Sequence, residues 1–232
     1  QVWRRPAVRR LWPLAVVLAV TVVAYVPSPV ALYADDYIYL VATRELSFWE
    51  YAKAVFTPWG HEPLLPFTRD YWRPLAFLWF EAAQPVLGDT PEPYHFANLA
   101  VHLCSVVLVW VLAARLDPRP DVRTFAAVIF ALYPGSFEAV SWISSINSAG
   151  LVFALAAWLV FLSATEEDRL RWSGVVLSAA LVAVALMFRE SGVVLVPAMA
   201  LWYLLVQRRE RLREWRIYLA FVPFAVVAAG RK

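Results

Sequence analysis

Seven long runs without a charged side chain constrain this sequence more than any other feature. A transmembrane helix needs about 20 mostly apolar residues, within a range of about 17–25. Five of the runs reach that range, whereas Thr124–Phe137 and Ile217–Gly230 are shorter. The runs are Leu11–Ala34, Pro93–Ala114, Thr124–Phe137, Ala139–Thr165, Trp172–Phe188, Ser191–Gln207 and Ile217–Gly230. The pattern predicts an all-α polytopic membrane protein with about seven transmembrane helices.

The composition agrees with a membrane protein and excludes other classes. Of the 232 residues, 62% are hydrophobic and 17% charged, whereas soluble domains are about half apolar and about a quarter charged. The basic residues form no continuous stripe, so we expect no nucleic-acid partner. The single cysteine, Cys104, excludes an internal disulfide and a cysteine-based zinc site. Because Cys104 lies in an apolar run, we expect it to be a small core residue.

The distribution of Arg and Lys predicts which loops face the cytoplasm. If the N-terminus is inside and each run crosses once, fourteen basic residues fall inside and five outside. The remaining two, Arg231 and Lys232, follow the last run. Cytoplasmic loops carry the excess of Lys and Arg, so we expect an integral protein of the cell membrane with a cytoplasmic N-terminus.

The ends of the sequence favour a piece of a longer protein. It begins with Gln1 rather than Met, and Arg231–Lys232 follow an apolar run directly. We expect residues 1–232 to form a single transmembrane domain whose C-terminal remainder is missing.

The first loop outside the membrane, about residues 28–92, is long, acidic and rich in aromatic side chains. Aromatic rings prefer the headgroup level of a bilayer, where one end is wet and the other apolar. The loop is therefore predicted to carry one or two short helices on the outer membrane surface. Ser47, with Glu50 three residues later, is typical of the N-cap of a helix over Phe48–Phe56.

An acidic pair and an arginine near the first two runs are candidates for chemistry. Asp35–Asp36 follow the first span, where repulsion and partial desolvation raise at least one carboxyl pKa and favour a base or a metal ligand. The alternative is an ordinary acid pair at a helix end. Arg73, between Trp72 and Pro74, suits bidentate binding of phosphate. The alternative is an arginine that extends toward lipid headgroups.

The second run begins with polar residues on one helical face. His95, Asn98 and His102 are spaced i, i+3, i+7, and polar groups at membrane depth usually face a bundle interior. For His102, the deeper one, hydrogen bonding between helices is the favoured interpretation. Two histidines without a third close ligand indicate zinc only weakly.

Two further breaks in the apolar pattern carry charge. Pro134–Gly135 interrupt a run just before Glu138, and the polar stretch Trp142–Ser148 follows. Such a break near membrane depth lines a cavity or is packed in protein, and a solvated outer loop is the alternative. Arg189–Glu190 form a very short outer turn, in which the two charges could neutralise each other or Arg189 could contact an anionic headgroup.

The predicted topology assigns these candidates to the outer face. They come from separate stretches of the chain, as an active site does. The set is Asp35, Asp36, Arg73, His95, Glu138, Arg189 and Glu190.

In order along the chain, the motifs resemble the membrane glycosyltransferases of the GT-C fold. They are the acidic pair, Trp72-Arg73-Pro74-Leu75, His95-x-x-Asn98-x-x-x-His102, Pro134-x-x-x-Glu138-Ala-Val-x-Trp-Ile-Ser and Arg189-Glu190-x-Gly192. The protein O-mannosyltransferase type and its tetratricopeptide-bearing relatives are the most similar. The resemblance covers about residues 33–192.

The resemblance implies inverting transfer of a sugar from a polyprenyl-phosphate donor to an acceptor hydroxyl outside the membrane. The acceptor would be a protein, glycan or lipid. By this analogy Asp35 is the catalytic base and Asp36 a second carboxylate or metal ligand. Arg73 and Arg189 would bind the donor phosphate, and His95, Asn98, Glu138 and Glu190 would line the site. A divalent metal, Mg²⁺ or Mn²⁺, often accompanies this chemistry.

The sequence departs from the family pattern at three places. Tyr133 replaces a common His, Arg189 replaces a Lys, and the Arg–acid pair after Trp-Ile-Ser is missing, so the acceptor could differ. A transporter or flippase that binds a lipid-linked sugar without catalysis is the alternative function, and a structural scaffold is a third. Polar groups gathered on one face favour the enzyme, because alternating access needs them on both halves of the spans.

Overall fold

The computed structural model describes residues 7–28, 30–32, 36–37, 40, 47–56, 73–166, 170–207, 218–219 and 221–229. Across these ranges the regular structure is helical and contains no strand, which confirms the all-α class. The α-helices are α1 (Ala7–Tyr25), α2 (Phe48–Phe56), α3 (Pro74–Leu87), α4 (Pro91–Leu116), α5 (Pro120–Leu132), α6 (Gly135–Ser141), α7 (Ala149–Thr165), α8 (Trp172–Phe188), α9 (Leu195–Trp202) and α10 (Val222–Ala229). Residues Ile143–Ser148 and Glu190–Val194 form 3₁₀ helices, and Tyr203–Gln207 is π-helical.

The chain divides into two compact units, the first comprising residues 1–45 and 80–148. In this unit α1, α4 and α5 pack around a core of Val17, Val106, Trp110, Ala127 and Ala131. Both alanines are completely buried. Small residues let helix backbones approach closely, which is how membrane helices gain packing energy without a hydrophobic driving force between them.

The second unit comprises residues 46–79 and 149–232, and α7 and α8 pack against each other within it. Phe161 of α7 is completely buried. Its ring centroid lies 5.6 Å from that of Tyr203 and 5.7 Å from that of Phe224. These edge-on aromatic contacts connect α7 to the π-helical turn and to α10.

Proline residues determine several helix ends. Helices α4 and α5 begin at Pro91 and Pro120, where the missing N–H removes no helical hydrogen bond. Helix α5 ends at Leu132, and Tyr133 before Pro134 is extended with ψ 132°. The axis turns by 61° between α5 and α6. The helix break predicted at Pro134–Gly135 is therefore confirmed.

Three helical stretches are long and apolar enough to cross a membrane, judged by length and composition among the described residues. They are Pro91–Leu116, Ile143–Thr165 and Glu190–Gln207, and the bent pair α5–α6 is a fourth if it counts as one span. The apolar segments Leu11–Tyr25 and Trp172–Phe188 are shorter. Each predicted run contains a helix, but the number of seven crossings stays a prediction.

The first long loop contains two helices, where the sequence predicts one or two. Helix α2 occupies Phe48–Phe56, as the sequence predicts, and α3 provides a second helix. The Ser47 hydroxyl and N–H donate to the Glu50 carboxylate at 2.5 and 3.1 Å. Both hydrogen bonds lower the pKa of Glu50, and the one from the Ser47 side chain has the larger effect. The residues around 57–72 lie outside the described part of the chain.

The prediction that Cys104 is a core residue is wrong, because its side chain is exposed on α4. The side of a spanning helix that faces lipid is as apolar as the side that packs against protein. An apolar run therefore identifies the helix but does not identify its packed face.

Candidate functional site

The α5–α6 break and the following 3₁₀ helix interrupt the regular ladder of backbone hydrogen bonds in the first unit. Backbone carbonyl and N–H groups that lose their helical partners must find others when they are buried, above all at membrane depth. Val140 and Ile143 at this junction are almost completely buried. The junction therefore depends on side chains from other helices.

His95 and Asn98 of α4 supply hydrogen bonds to this junction. His95, 1% exposed, places Nδ1 3.1 Å from the Val140 carbonyl oxygen and Nε2 3.1 Å from that of Tyr25. Both partners can only accept, so a neutral ring donates to one of them and a protonated ring to both. Asn98 Nδ2 donates to the carbonyl oxygens of Trp142, at 2.8 Å, and Ile143, at 3.3 Å.

Asp36 is completely buried and also contacts this junction. The backbone N–H of Ser144 donates to Asp36 Oδ1 at 2.8 Å, although the two residues are 108 positions apart. A hydrogen bond from a backbone N–H group fixes the position of the carboxylate that accepts it. Asp35, the other member of the acidic pair, lies outside the described residues.

The structure thus brings Asp36, His95 and Asn98 together around the segment Val140–Ser144 in one unit. Within the same segment, Ser141 Oγ and Trp142 Nε1 are buried and have no hydrogen-bond partner among the residues that the structure describes. Buried polar atoms left unpaired in this way are unusual, and they are suited to receive water or hydroxyl groups. Among the described residues, Asp36, His95 and Asn98 therefore form a buried polar cluster around the helix junction.

His102 has a structural role that agrees with the favoured interpretation of the sequence. Its Nε2 lies 3.1 Å from the Ala131 carbonyl oxygen on α5. Its ring stacks on Phe130, with centroids 5.4 Å apart, and meets Tyr25 edge-on at 5.5 Å. His102 therefore connects helices deeper in the first unit.

Arg73 forms an ion pair within the second unit. Its Nε donates to Glu190 Oε2 at 2.8 Å, and its Nη2 donates to Glu190 Oε1 at 2.5 Å. The side chains are 16% and 37% exposed, respectively. The interpretation in which Glu190 neutralises the adjacent Arg189 is not the arrangement observed, because Glu190 turns to Arg73 and Arg189 is exposed.

Glu138, which the sequence suggests as a candidate beside a break that lines a cavity or is packed in protein, is exposed on α6. It lies on the same short helix as Val140, whose carbonyl contacts His95. Its backbone carbonyl accepts the N–H of Trp142 at 3.1 Å, which closes the last turn of α6.

The predicted divalent metal stays a prediction, because Asp35 of the acidic pair lies outside the described residues. Within the described part of the chain, no three His, Cys, Asp or Glu side chains lie close enough together to bind a metal ion. Asp36 provides one carboxylate, and its Oδ1 already accepts the Ser144 N–H.

Sequence reasoning missed the partners rather than the residues. The sequence around Ser144 does not indicate that its backbone N–H binds Asp36, because every residue except proline carries the same backbone donor. Arg73 and Glu190 are 117 positions apart, so no helical spacing could pair them.

The family model of the dolichyl-phosphate-mannose-protein mannosyltransferases matches residues 72–230. The matched range includes Arg73, His95, Asn98 and Glu190, whereas Asp36 precedes it.

Among curated proteins, Protein O-mannosyl-transferase Tmtc1 of Drosophila melanogaster is 29% identical over 136 residues, which are 58% of this chain and 16% of the relative. Protein O-mannosyl-transferase TMTC3 of Mus musculus is 34% identical over 130 residues, or 54% of this chain and 14% of the relative. Its counterpart from Homo sapiens is 32% identical over the same shares. The chain thus spans only a small part of these relatives. No solved structure matches the chain significantly. Because the family model covers well over half of its residues, the chain belongs to the dolichyl-phosphate-mannose-protein mannosyltransferase family.

Proposed function

We propose that the chain transfers mannose from a polyprenyl-phosphate donor to an acceptor hydroxyl, with inversion at the anomeric carbon. Membership of a mannosyltransferase family supports glycosyl transfer, and the names of the relatives favour a protein acceptor. A site at the membrane suits this reaction, because the polyprenyl tail of the donor lies in the bilayer.

The observation that carries the proposal is the buried carboxylate of Asp36, fixed at 2.8 Å by the Ser144 N–H. A carboxylate is rarely buried without a reason, since removal from water costs free energy that must be offset by partners. Beside it in the sequence, Asp35 is the base in this proposal. Asp36 would stabilise the arrangement and orient the acceptor.

The proposed reaction is a single displacement. Asp35 accepts the proton of the acceptor hydroxyl while the hydroxyl oxygen forms a bond to the anomeric carbon. The bond from that carbon to the phosphate oxygen breaks, and its electron pair leaves with the polyprenyl phosphate. Arg73, and Arg189 on the exposed turn, would stabilise the charge that grows on the phosphate. A divalent metal remains a prediction from the family resemblance alone.

The reaction is proposed for the extracytoplasmic side of the cell membrane. The supporting argument is the distribution of Arg and Lys, which gives a cytoplasmic N-terminus. In that topology the acidic pair, Arg73, the start of α4 and the turn at Arg189 all belong to outer segments.

The proposal is tested by transfer of labelled mannose from polyprenyl-phosphate mannose, using the full-length protein in membranes. The variants are Asp35→Asn and Asp36→Asn, with Asp121→Asn, an exposed acid on α5, as the matched control. We expect Asp35→Asn to lower transfer by about 10²–10⁴-fold, which is typical for loss of a general base. In Asp36→Asn the amide oxygen can still accept the Ser144 N–H, so the protein should fold and lose activity.

Normal transfer by Asp35→Asn would contradict the assignment of the base. Saturable donor binding by the parent protein without any transfer would favour the transporter instead. Comparable amounts of each variant in the membrane are the control for folding.

A further inference from the structure

We propose that Glu190 is a positioning residue that orients the guanidinium of Arg73 toward the phosphate of the lipid-linked donor. The inference rests on the proposed function, in which Arg73 contacts that phosphate. It follows from the bidentate pair, with Nε–Oε2 at 2.8 Å and Nη2–Oε1 at 2.5 Å. A single hydrogen bond would leave the plane of the guanidinium free to rotate, whereas two parallel bonds fix it.

Both partners of the pair are anchored by their backbones. The Arg73 carbonyl accepts the N–H groups of Ala76 and Phe77, at 3.1 and 3.3 Å, in the first turn of α3. Glu190 begins a 3₁₀ helix directly after Arg189, whose N–H donates to the Ala185 carbonyl at 3.0 Å. Because neither backbone can shift easily, the ion pair determines where the Arg73 head group lies.

The shape of the guanidinium gives the pair its direction. The group is planar and carries five N–H donors in a rigid fork. Glu190 engages the edge formed by Nε and Nη2. The edge formed by the two Nη atoms is therefore directed away from Glu190. That edge has the geometry that binds two oxygens of a phosphate.

The position of the pair makes orientation more important than simple charge. The Arg73 side chain is only 16% exposed, so it is largely withdrawn from water. Partly buried charges are screened less than charges in water. Charge on the phosphate grows as its bond to the sugar breaks, so a fixed guanidinium stabilises the transition state more than the bound donor. Loss of Glu190 should consequently lower kcat more than it raises KM for the donor.

The test compares donor kinetics of the full-length protein with those of Glu190→Gln, Arg73→Lys and the double variant. We expect Glu190→Gln to lower kcat by roughly tenfold to a hundredfold, the cost of a misplaced group, with a smaller change in KM. In the Arg73→Lys background, the same Glu190→Gln change should have little further effect, because Glu190 acts through Arg73. Asp117→Asn, which breaks the exposed Asp117–Arg119 pair, is the matched control and should retain parental kinetics.

A second variant separates positioning from a purely structural ion pair. Arg73→Glu combined with Glu190→Arg exchanges the two partners and should restore the amount of folded protein without restoring transfer. Recovery of transfer by this exchange, or parental kcat in Glu190→Gln, would overturn the inference. Additive losses in the double variant of the first test would do the same. If the parent transfers mannose and Arg73→Ala does so equally well, the phosphate role of Arg73 is wrong while the proposed function stands. Absence of transfer by the parent overturns both.

Discussion

Asn98 holds two carbonyl oxygens of the 3₁₀ junction with one amide group, at 2.8 and 3.3 Å. The sequence identifies Asn98, His95 and Asp36 as unusual because they are polar at the edge of apolar runs. It gives no indication that their partners are backbone groups 44 to 108 positions away. Residue type and depth can be predicted locally, but the partner of a polar side chain depends on the complete fold.

Asn98→Leu is expected to destabilise the protein by about 1–3 kcal/mol, the cost of leaving buried carbonyl groups without their donor. For a chain of this length, that corresponds to a Tm lower by roughly 2–12 °C. Thermal unfolding in detergent measures the change. Ser105→Ala on the same helix is the control, because Ser105 Oγ donates to the Val101 carbonyl within α4 itself, and the loss should be small. Equal melting of Asn98→Leu and the parent would show that the junction does not depend on this amide.

At the scale of elements, local signals located the helices well. Ser47 predicts the start of α2, and Pro134 predicts the break between α5 and α6. The packed face of α4 could not be predicted, because Cys104 was expected in the core and is exposed. The close approach of α7 to α8 could not be predicted either. Both faces of a membrane helix are apolar, so periodicity carries little information about packing.

The contact between α7 and α8 depends on glycine at two positions. A Cβ on Gly150 would lie 2.9 Å from the Ala185 carbonyl oxygen, and one on Gly174 would lie 2.7 Å from Ala164 Cβ. We expect Gly150→Ala and Gly174→Ala each to destabilise the second unit by about 1–3 kcal/mol, because neither neighbour is a flexible side chain.

Gly192→Ala is the matched control for these two variants. Its new Cβ would lie 3.7 Å from Ala185 Cβ, which is an ordinary contact distance. Thermal stability of the three variants in detergent gives the comparison. If all three behaved alike, close packing between α7 and α8 would not be the reason for the glycines.

For the whole molecule, the predicted orientation assigns successive loops alternately to the two sides of the membrane. A missed span would reverse the side of every loop after it. Helix α4 is the firmest reference, since its 26 residues extend about 39 Å, more than the hydrocarbon core of a bilayer. Its first turn follows Thr90, and its other end carries three arginines, with Arg115 in its last turn, Arg119 in the short loop after it and Arg123 in α5. The positive-inside rule therefore predicts that Thr90 lies outside the cell and that this arginine-rich end of α4 lies inside.

Cysteine labelling in intact cells tests this orientation directly. The single cysteine of residues 1–232 is first removed by Cys104→Ala in a background without other accessible cysteines, and Thr90→Cys or Asp121→Cys is then introduced at an exposed site. Thr90 makes no side-chain capping hydrogen bond, so its replacement should not disturb α4. A membrane-impermeant maleimide should label Thr90→Cys in intact cells and Asp121→Cys only after permeabilisation.

The opposite pattern would move the start of α4 to the cytoplasm, together with Arg73 and the acidic pair. The proposed extracytoplasmic transfer would then be wrong even if the protein is a mannosyltransferase. Labelling of both sites from outside would mean that α4 does not cross the membrane.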